Sequence, residues 1–158
     1  MKKEMYKAGK YSFDVPSECF RINSSTANEI ELYGHKTGYM FSCDLIVCIC
    51  AEDDSYGKIM HMLIQLTNNP EEHQKIISLL SEVNGEGGVN SRFAIGKKLG
   101  DYYTIESMVN DRSFIVAAQI DGNVISITVG KNGDDSVTEK QLSKFAYEVL
   151  ESILENNK

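Results

Sequence analysis

The side chains of this sequence that could carry chemistry are four cysteines, three histidines and several acidic clusters. For a cysteine nucleophile, Cys19 and His35 are the pair without an evident structural role, and the histidine would act as the base that generates the thiolate. No acidic residue that would orient the histidine can be identified from its spacing. A small thiol- or carboxylate-dependent enzyme of unknown substrate is therefore the alternative interpretation and not the preferred one.

A zinc site would need cysteine and histidine ligands at short, regular spacings. Cys48 and Cys50 share one side of a predicted strand with Asp44, while Cys43 points to the other side. The sequence contains neither a C-x-x-C pair nor an H-x-x-x-H pair. We therefore predict no metal site, and we interpret these cysteines as small core residues in a reducing compartment.

Two other patterns could bind ions but have the wrong spacing or order. The acidic runs at 52–54 and 134–135 lack the spacing of a calcium-binding loop and suit the start of a helix. The glycines at 85, 87 and 88 stand between a predicted helix and a predicted strand, whereas a phosphate-binding loop leads from a strand into a helix. We predict no cofactor.

Length and charge restrict the class of protein. With 158 residues and 42% hydrophobic content, residues 1–158 are predicted to form one domain, with residues 1–10 as a flexible N-terminal tail. The net charge of -7 argues against nucleic-acid and anionic membrane partners. The sequence has no apolar run of about 18 residues and no apolar signal segment, so we expect a cytoplasmic protein.

Residues 92–130 read as four short strands joined by turns. A two-residue turn at Asp121-Gly122 sets Ile120 opposite Asn123 and then pairs Phe114 with Val129. A second two-residue turn at 111–112 is predicted to pair Ile105 with Ala118, and a turn at 98–100 to pair Ile105 with Phe93. These registers put Phe93 and Ile125 on one face of an antiparallel meander.

The remaining segments are predicted from alternation and helical spacing. Strands are expected at 11–16, 19–22, 29–33 and 39–51, the last with its odd positions forming an apolar face. A short helix is expected after residue 55, and a second over 70–83 with Asn69 as its cap and Pro70 at its first position. A capping-box pattern at 136–139 leads into an amphipathic helix over 138–155, which is predicted to cover the Phe114 face of the meander.

The predicted registers place a polar stripe on the other face of the meander. Arg92 falls opposite Glu106, and Thr104 falls opposite Gln119, while Ser126 and Thr128 lie on the last strand. A sheet face covered by a helix should be apolar, so part of this face is expected to be exposed to water. The interpretation of a solvated face with a cross-strand ion pair stands beside the functional one. The predicted binding surface is Arg92, Glu106, Gln119, Ser126 and Thr128.

The order of elements resembles the Mog1/PsbP-like superfamily over nearly the whole chain. The residues that carry the resemblance are Ser12-Phe-Asp-Val-Pro16, an aromatic shortly after them, and the closing helix from Phe145 to Ile153. The aromatic is Phe20, where a tryptophan is common in the family. The resemblance implies an α+β fold in which an antiparallel sheet with a C-terminal four-strand meander is flanked by helices, an α/β/α sandwich.

The resemblance also implies a non-catalytic role. Members include photosystem accessory subunits, a Ran-binding factor, lipoproteins and adaptor-chaperones of secreted bacterial toxins, and the absence of a leader favours the bacterial adaptor type. No binding residue can be carried over, since the superfamily shares no site motif. We therefore expect a non-catalytic binding or adaptor protein whose partner is another protein, with homo-oligomer formation left open.

Overall fold

The computed structural model describes residues 2–37, 40–51, 55–72, 75, 76, 78 and 91–158. Within these ranges nine strands form two antiparallel sheets, and helices pack on the larger sheet. The strands are β1 (Lys3–Ala8), β2 (Tyr11–Pro16), β3 (Phe20–Ser25), β4 (Glu29–Gly34), β5 (Cys43–Cys50), β6 (Ser91–Ile95), β7 (Thr104–Val109), β8 (Ser113–Ile120) and β9 (Asn123–Lys131). The helices are α1 (Ser55–Thr67) and α2 (Glu139–Asn156), with a 3-10 helix at Pro70–Glu72. The predicted α+β class, an antiparallel sheet flanked by helices, is confirmed.

The larger sheet has the strand order β3-β4-β5-β9-β8-β7-β6 in the described part of the chain. Strands β6 to β9 are the predicted four-strand meander, and β5 joins it by pairing with β9. The apolar face predicted for β5 is confirmed, because Cys43, Leu45 and Val47 are fully buried. Strand β5 thus joins β3 and β4 to the meander in one sheet, and its buried face belongs to the main core.

Helix α2 covers one face of this sheet, as predicted. It buries an apolar stripe that includes Leu142, Phe145 and Val149 against β8 and β9. The capping box lies two residues later than the pattern at 136–139 indicated, because Thr138 is the N-cap and Gln141 completes the box. Its predicted extent of 138–155 is confirmed to within one residue.

The first residues form a strand, so the prediction of a flexible tail over 1–10 is wrong for Lys3–Ala8. Strand β1 pairs with β2 along its whole length, and Gly9 supplies the positive φ of +56° at the turn. The hairpin buries Phe13 and Val15 beside α2. The lysines that indicated a tail alternate with the inward-facing residues of β1, which is the usual pattern of a strand with one solvated side.

The register of the β8–β9 hairpin is confirmed, and that of β7 is wrong by one residue. Asn110 and Asp111 both have positive φ, and Arg112 N–H donates to Val109 O at 3.0 Å. The loop therefore has three residues, 110–112, and Val109 pairs with Ser113. A slip of one residue turns every side chain of a strand to the other face, so Phe93 and Ile125 lie on opposite faces of the sheet.

The β6–β7 connection is longer than predicted. Leu99 and Tyr102 form an isolated bridge, and Ile95 pairs with Ile105 where Phe93 was expected. The pairing of β6 with β7 is shifted by two residues from the predicted one. Because side chains alternate between the two faces, a shift of two leaves the predicted partners on the same face as each other. The residues between β6 and β7 form a loop over 96–103 that stands at one end of the sheet.

Helix α1 covers the second face of the sheet. Met60, Leu63 and Ile64 are buried with Ile105 and Val124 in a second core. Of the predicted helix over 70–83, the structure describes its start, where Asn69 Oδ1 accepts from Glu71 N–H at 3.2 Å as predicted for a cap, and the buried Ile76. The rest of that prediction, with the glycines at 85, 87 and 88, lies outside the described residues.

The edge strand β3 is joined to α2 by an aromatic stack. The rings of Phe20 and Phe145 are stacked with centroids 5.6 Å apart. Gly34 is the cross-strand partner of Phe20, and a Cβ at Gly34 would lie 2.5 Å from Phe20 Cε1. The absence of a side chain at position 34 therefore gives Phe20 the space to lie across β4 and reach the helix.

Candidate binding site

The five residues of the predicted binding surface do not share one face of the sheet. Because β7 is shifted by one residue, Arg92 and Glu106 lie on the α2 face, while Gln119, Ser126 and Thr128 lie on the α1 face. The prediction of a single polar stripe across the meander is thus wrong. The side chains belong to two separate environments.

On the α2 face, the expected ion pair between Arg92 and Glu106 is replaced by other contacts. Arg92 Nη2 lies 3.3 Å from Asp111 Oδ1 and 3.5 Å from Glu139 Oε1, with about half of each side chain or more exposed. Glu106 is half-buried and accepts a hydrogen bond from the hydroxyl of Tyr147. Arg92 pairs with Met108 across the strands where Glu106 was expected.

On the α1 face, the polar side chains are partly covered. Ser126 is buried and its Oγ is 3.6 Å from Cys50 Sγ. The amide of Gln119 accepts from Asn68 Nδ2 at 3.4 Å, and Thr128 is half-buried. These three side chains lie on the face of the sheet that α1 covers. Arg92 and Glu106 lie on the opposite face, so the five residues do not line one cavity.

The cysteine and histidine considered for catalysis point away from each other. Cys19 is buried in the main core with its Sγ 3.4 Å from Thr37 Oγ1, whereas the ring of His35 packs against Tyr33. Cys19 O does accept from His35 N–H, so the two residues are neighbours through their backbones only. Burial raises the pKa of the Cys43 thiol to about 12, with Asp44 adding to the effect.

The other cysteine, histidine and acidic side chains do not form a metal site within the described residues. Among the residues that the structure describes, no group of three or more histidine, cysteine or acidic side chains is placed to hold a metal ion. Cys48, half-buried on the α1 face, has a raised pKa because it hydrogen-bonds to Cys50 and is shielded from water. In the same described part of the chain, no helix combines the length and the apolar character needed to cross a membrane.

A buried polar cluster, which we call the Tyr147 network, lies between α2 and β7. The hydroxyl of Tyr147 donates to Glu106 Oε2, accepts from Lys97 N–H at 3.0 Å and lies 3.3 Å from Thr104 Oγ1. Thr104 in turn donates to Lys97 O at 2.7 Å. Burial and the bond to Glu106 raise the pKa of Tyr147 to about 12, which keeps the phenol neutral.

Gly96 makes the Tyr147 network geometrically feasible. A Cβ at this position would overlap Thr104 Oγ1 and the Tyr147 hydroxyl and would lie 2.8 Å from Glu106 Cγ. Gly96 N–H donates to Thr104 O at 2.9 Å. The network therefore holds the first residues of the 96–103 loop against α2, and this loop forms one wall of a cavity.

That cavity, the C-terminal groove, has a volume of about 760 Å³ and lies between three segments of the chain. The first wall is the loop over 99–102, in which the mutual bonds of Leu99 and Tyr102 and the positive φ of Gly100 turn Asp101 outward. The second wall is the β8–β9 turn, with Ile120 buried and Asp121 exposed. Leu99 and Tyr102 pack on the main core, so the groove has an apolar floor.

The third wall is the last part of α2. Glu151, Leu154 and Glu155 follow one another at helical spacing and share one side of the helix, and Lys158 lies beyond the end of the helix. This end of the helix is fixed to β2, because Ser152 Oγ accepts from Asp14 N–H at 2.9 Å and Asn157 Nδ2 donates to Ser12 O at 3.2 Å. Asn157 therefore both lines the groove and ties its third wall to β2.

The groove has an acidic rim formed by Asp101, Asp121, Glu151 and Glu155, all of which are exposed. Lys158 pairs with Glu155 at 3.0 Å, and no ion pair among the described residues involves the other three. The last turn of α2 contains no basic residue, so the negative end of the helix dipole adds to the field of the carboxylates. The lining residues that are buried, Ile120 and Ile153, are both apolar.

The groove was not predicted from the sequence, since its walls come from segments up to 59 positions apart that only the fold brings together. One signal was present: Glu151 and Glu155 stand at the C-terminal end of a predicted helix, where acidic residues oppose the helix dipole. Such a locally unfavourable choice is a feature expected of functional sites.

Comparison with known proteins gives similarity at the level of solved structures. No protein-family model matches the chain, and no curated protein sequence is similar to it. The backbone is similar to the solution structure of cyanobacterial PsbP (CyanoP) from Synechocystis sp. PCC 6803, with 11% sequence identity, a TM-score of 0.43 and coverage of 96% of this chain and 89% of that chain. At this TM-score, nothing about function is taken from the similarity.

Proposed function

We propose that this protein is a non-catalytic binding protein, an adaptor whose partner is another protein, and that the C-terminal groove receives a segment of that partner. The observation that supports the proposal is the division of the groove into an apolar floor and an exposed charged rim. Protein interfaces commonly have this arrangement of an apolar centre and a polar edge.

A small-molecule site would be expected to look different. Such sites enclose their ligand and present a few fixed polar groups that orient it. In the C-terminal groove the charged lining groups lie at the exposed rim, the amide of Asn157 is already bonded to Ser12 O, and the buried lining residues offer only apolar contact. A polypeptide segment can use both features, because its apolar side chains fill the floor while its backbone and polar groups stay near the solvent.

The experiment is a selection from a displayed library of random 12-residue peptides against the native protein. We expect enriched peptides that shift the amide resonances of the 99–102 loop and of the last turns of α2. Leu154→Ser should weaken their binding, whereas Met62→Ser, at an exposed methionine of α1, should not. Failure to enrich peptides, or enrichment of peptides whose binding both variants leave unchanged, would contradict the proposed function.

The competing enzyme interpretation makes a separate prediction about thiol reactivity. Cys19 is 2% exposed and has its Sγ beside Thr37, so it should react slowly with iodoacetamide in the native protein. Peptide mass spectrometry of timed alkylation measures this for each cysteine. Rapid and selective labelling of Cys19 would favour a thiol enzyme.

A further inference from the structure

We infer that the segment bound by the C-terminal groove is cationic and amphipathic, with lysine or arginine beside a large apolar side chain. This inference rests on the proposed function and names the chemistry of the partner. It follows from the charges and apolar surfaces of the groove and not from the overall negative charge of the chain.

The rim provides a field that a cation would complement. Asp101, Asp121 and Glu151 come from three different segments and surround one opening. The C-terminal end of α2 contributes a partial negative charge at the same place, and its last turn lacks the basic residues that usually compensate it. Four exposed carboxylates and a helix C-terminus are offset by Lys158, which is paired with Glu155.

The arrangement of these acids is unfavourable for the free protein. Like charges repel, and Glu151 and Glu155 lie four positions apart at the end of the helix where negative charge is disfavoured. A bound lysine or arginine would offset the repulsion between the carboxylates and the negative charge at the helix end, in addition to forming an ion pair.

The floor provides the place for the apolar side chain. Leu99, Tyr102 and Leu154 are half-buried and pack on the main core, and Ile120 and Ile153 lie beneath them. The two structural supports already described, the bonds of α2 to β2 and the Tyr147 network below the loop, fix this surface before a partner arrives. Preorganisation of this kind lowers the conformational cost of binding.

The same displayed library tests this inference, since the sequences of the groove-binding peptides report the chemistry that the groove selects. We expect lysine or arginine together with a leucine, phenylalanine or similar residue, and dissociation constants that rise at least about tenfold between low and high salt. The charge variant Asp101→Asn/Glu151→Gln/Glu155→Gln should lose at least about tenfold in affinity for these peptides.

A charge-matched control separates the local field from the net charge. Glu18→Gln/Glu71→Gln/Asp135→Asn removes three exposed carboxylates outside the groove, and it should change the affinity less than about twofold. Equal losses in both variants would show that net charge alone attracts the peptides, and the inference would be wrong.

The outcomes also separate the inference from the proposed function. Groove-binding peptides that lack basic residues, or that bind the groove charge variant unchanged, would overturn the inference and leave the proposed function standing. Failure to obtain any groove-binding peptide would overturn the proposed function. Circular dichroism of each variant identifies loss of folding, and Leu154→Ser with Met62→Ser then repeats the test through the apolar floor.

Discussion

The Tyr147 network and the acidic rim of the C-terminal groove both include residues of α2, and their polar groups are satisfied in opposite ways. In the network, Tyr147 and Thr104 are buried and Glu106 is half-buried, and their polar groups bond to one another and to the backbone of Lys97. At the rim, the carboxylates are exposed, and most of them have no cation in the described ion pairs. The first arrangement stabilises the fold, and the second leaves charge available to a partner.

The Tyr147 network and the C-terminal groove are also physically connected. The network fixes Gly96 and Lys97, which begin the loop that forms the first wall of the groove. A change in the network should therefore reduce stability and also loosen the groove, whereas a change in the rim should alter binding and leave the fold intact.

The largest expected effect is that of Gly96→Ala. The new methyl group would displace the Tyr147 hydroxyl and Thr104, so overpacking and lost hydrogen bonds combine to lower the free energy of unfolding by about 3 kcal/mol. Urea denaturation measures this. Gly133→Asn is the matched control, because Gly133 has φ +74° with open space around it and asparagine tolerates that conformation. Equal effects of the two substitutions would contradict the role assigned to Gly96.

Tyr147→Phe should have the next largest effect. It leaves Glu106 and the Lys97 N–H without their partner in a shielded place, which costs about 1–2 kcal/mol of unfolding free energy. Binding of groove-selected peptides should weaken at the same time, because the loop loses its anchor. Unchanged stability in thermal and urea unfolding would show that the network contributes nothing.

The pH dependence of stability gives a second measure of the network. The folded-state pKa of Tyr147 is raised to about 12 by burial and by Glu106, above its ordinary value of 10.0. Its contribution to stability is therefore fully present below pH 10 and is lost as the pH rises through about 12. The difference in unfolding free energy between the wild type and Tyr147→Phe should shrink over this range, as urea denaturation at each pH measures. A constant difference from pH 9 to pH 12 would contradict the assignment.

Arg92→Ala should have a smaller effect. The contacts of Arg92 with Asp111 and Glu139 are exposed and long, and such pairs contribute about 0–1 kcal/mol. Glu106→Ala, in contrast, should cost about as much as Tyr147→Phe, since Glu106 belongs to the network. Similar melting temperatures for the two alanine variants would place Glu106 with the exposed residues and remove it from the network.

The smallest expected change in stability is that of Glu151→Gln/Glu155→Gln, and its sign should be positive. Removing negative charge from the C-terminal end of α2 should raise the free energy of unfolding by about 0.3 kcal/mol. High salt should abolish this gain, which differential scanning calorimetry at two salt concentrations can measure. A clear loss of stability would show that the two acids support the fold and are not retained for binding.

Much of the architecture could be predicted because local signals specify it. Asp121-Gly122 adopts the positive φ values that its turn requires, and the β8–β9 register follows from it. The helix over 138–155 and the buried face of β5 follow from their apolar spacing. These signals act over a few residues, so the sequence alone is sufficient to interpret them.

The error in the register of β7 arose at a turn where one additional loop residue changes the pairing of the whole strand. Asn110, Asp111 and Arg112 are compatible with a loop of two or of three residues, and the longer loop that forms places Met108 in the core on the α2 side. The predicted polar stripe was wrong for this reason, since Glu106 and Gln119 were assigned to the same face. The groove could not be predicted because its residues meet only after the sheet, the hairpin and α2 are assembled.

The close approach of Phe20 to Gly34 has a consequence for how this sequence can change over time. Any side chain at position 34 would collide with the ring of Phe20, so a substitution there requires a smaller residue at position 20 in the same lineage. Loss of that ring would remove the stack on Phe145 and free the helix face that it covers. Sequences that diverge from this one should therefore vary at positions 20, 34 and 145 as a set, and a glycine at position 34 should accompany a large aromatic at position 20.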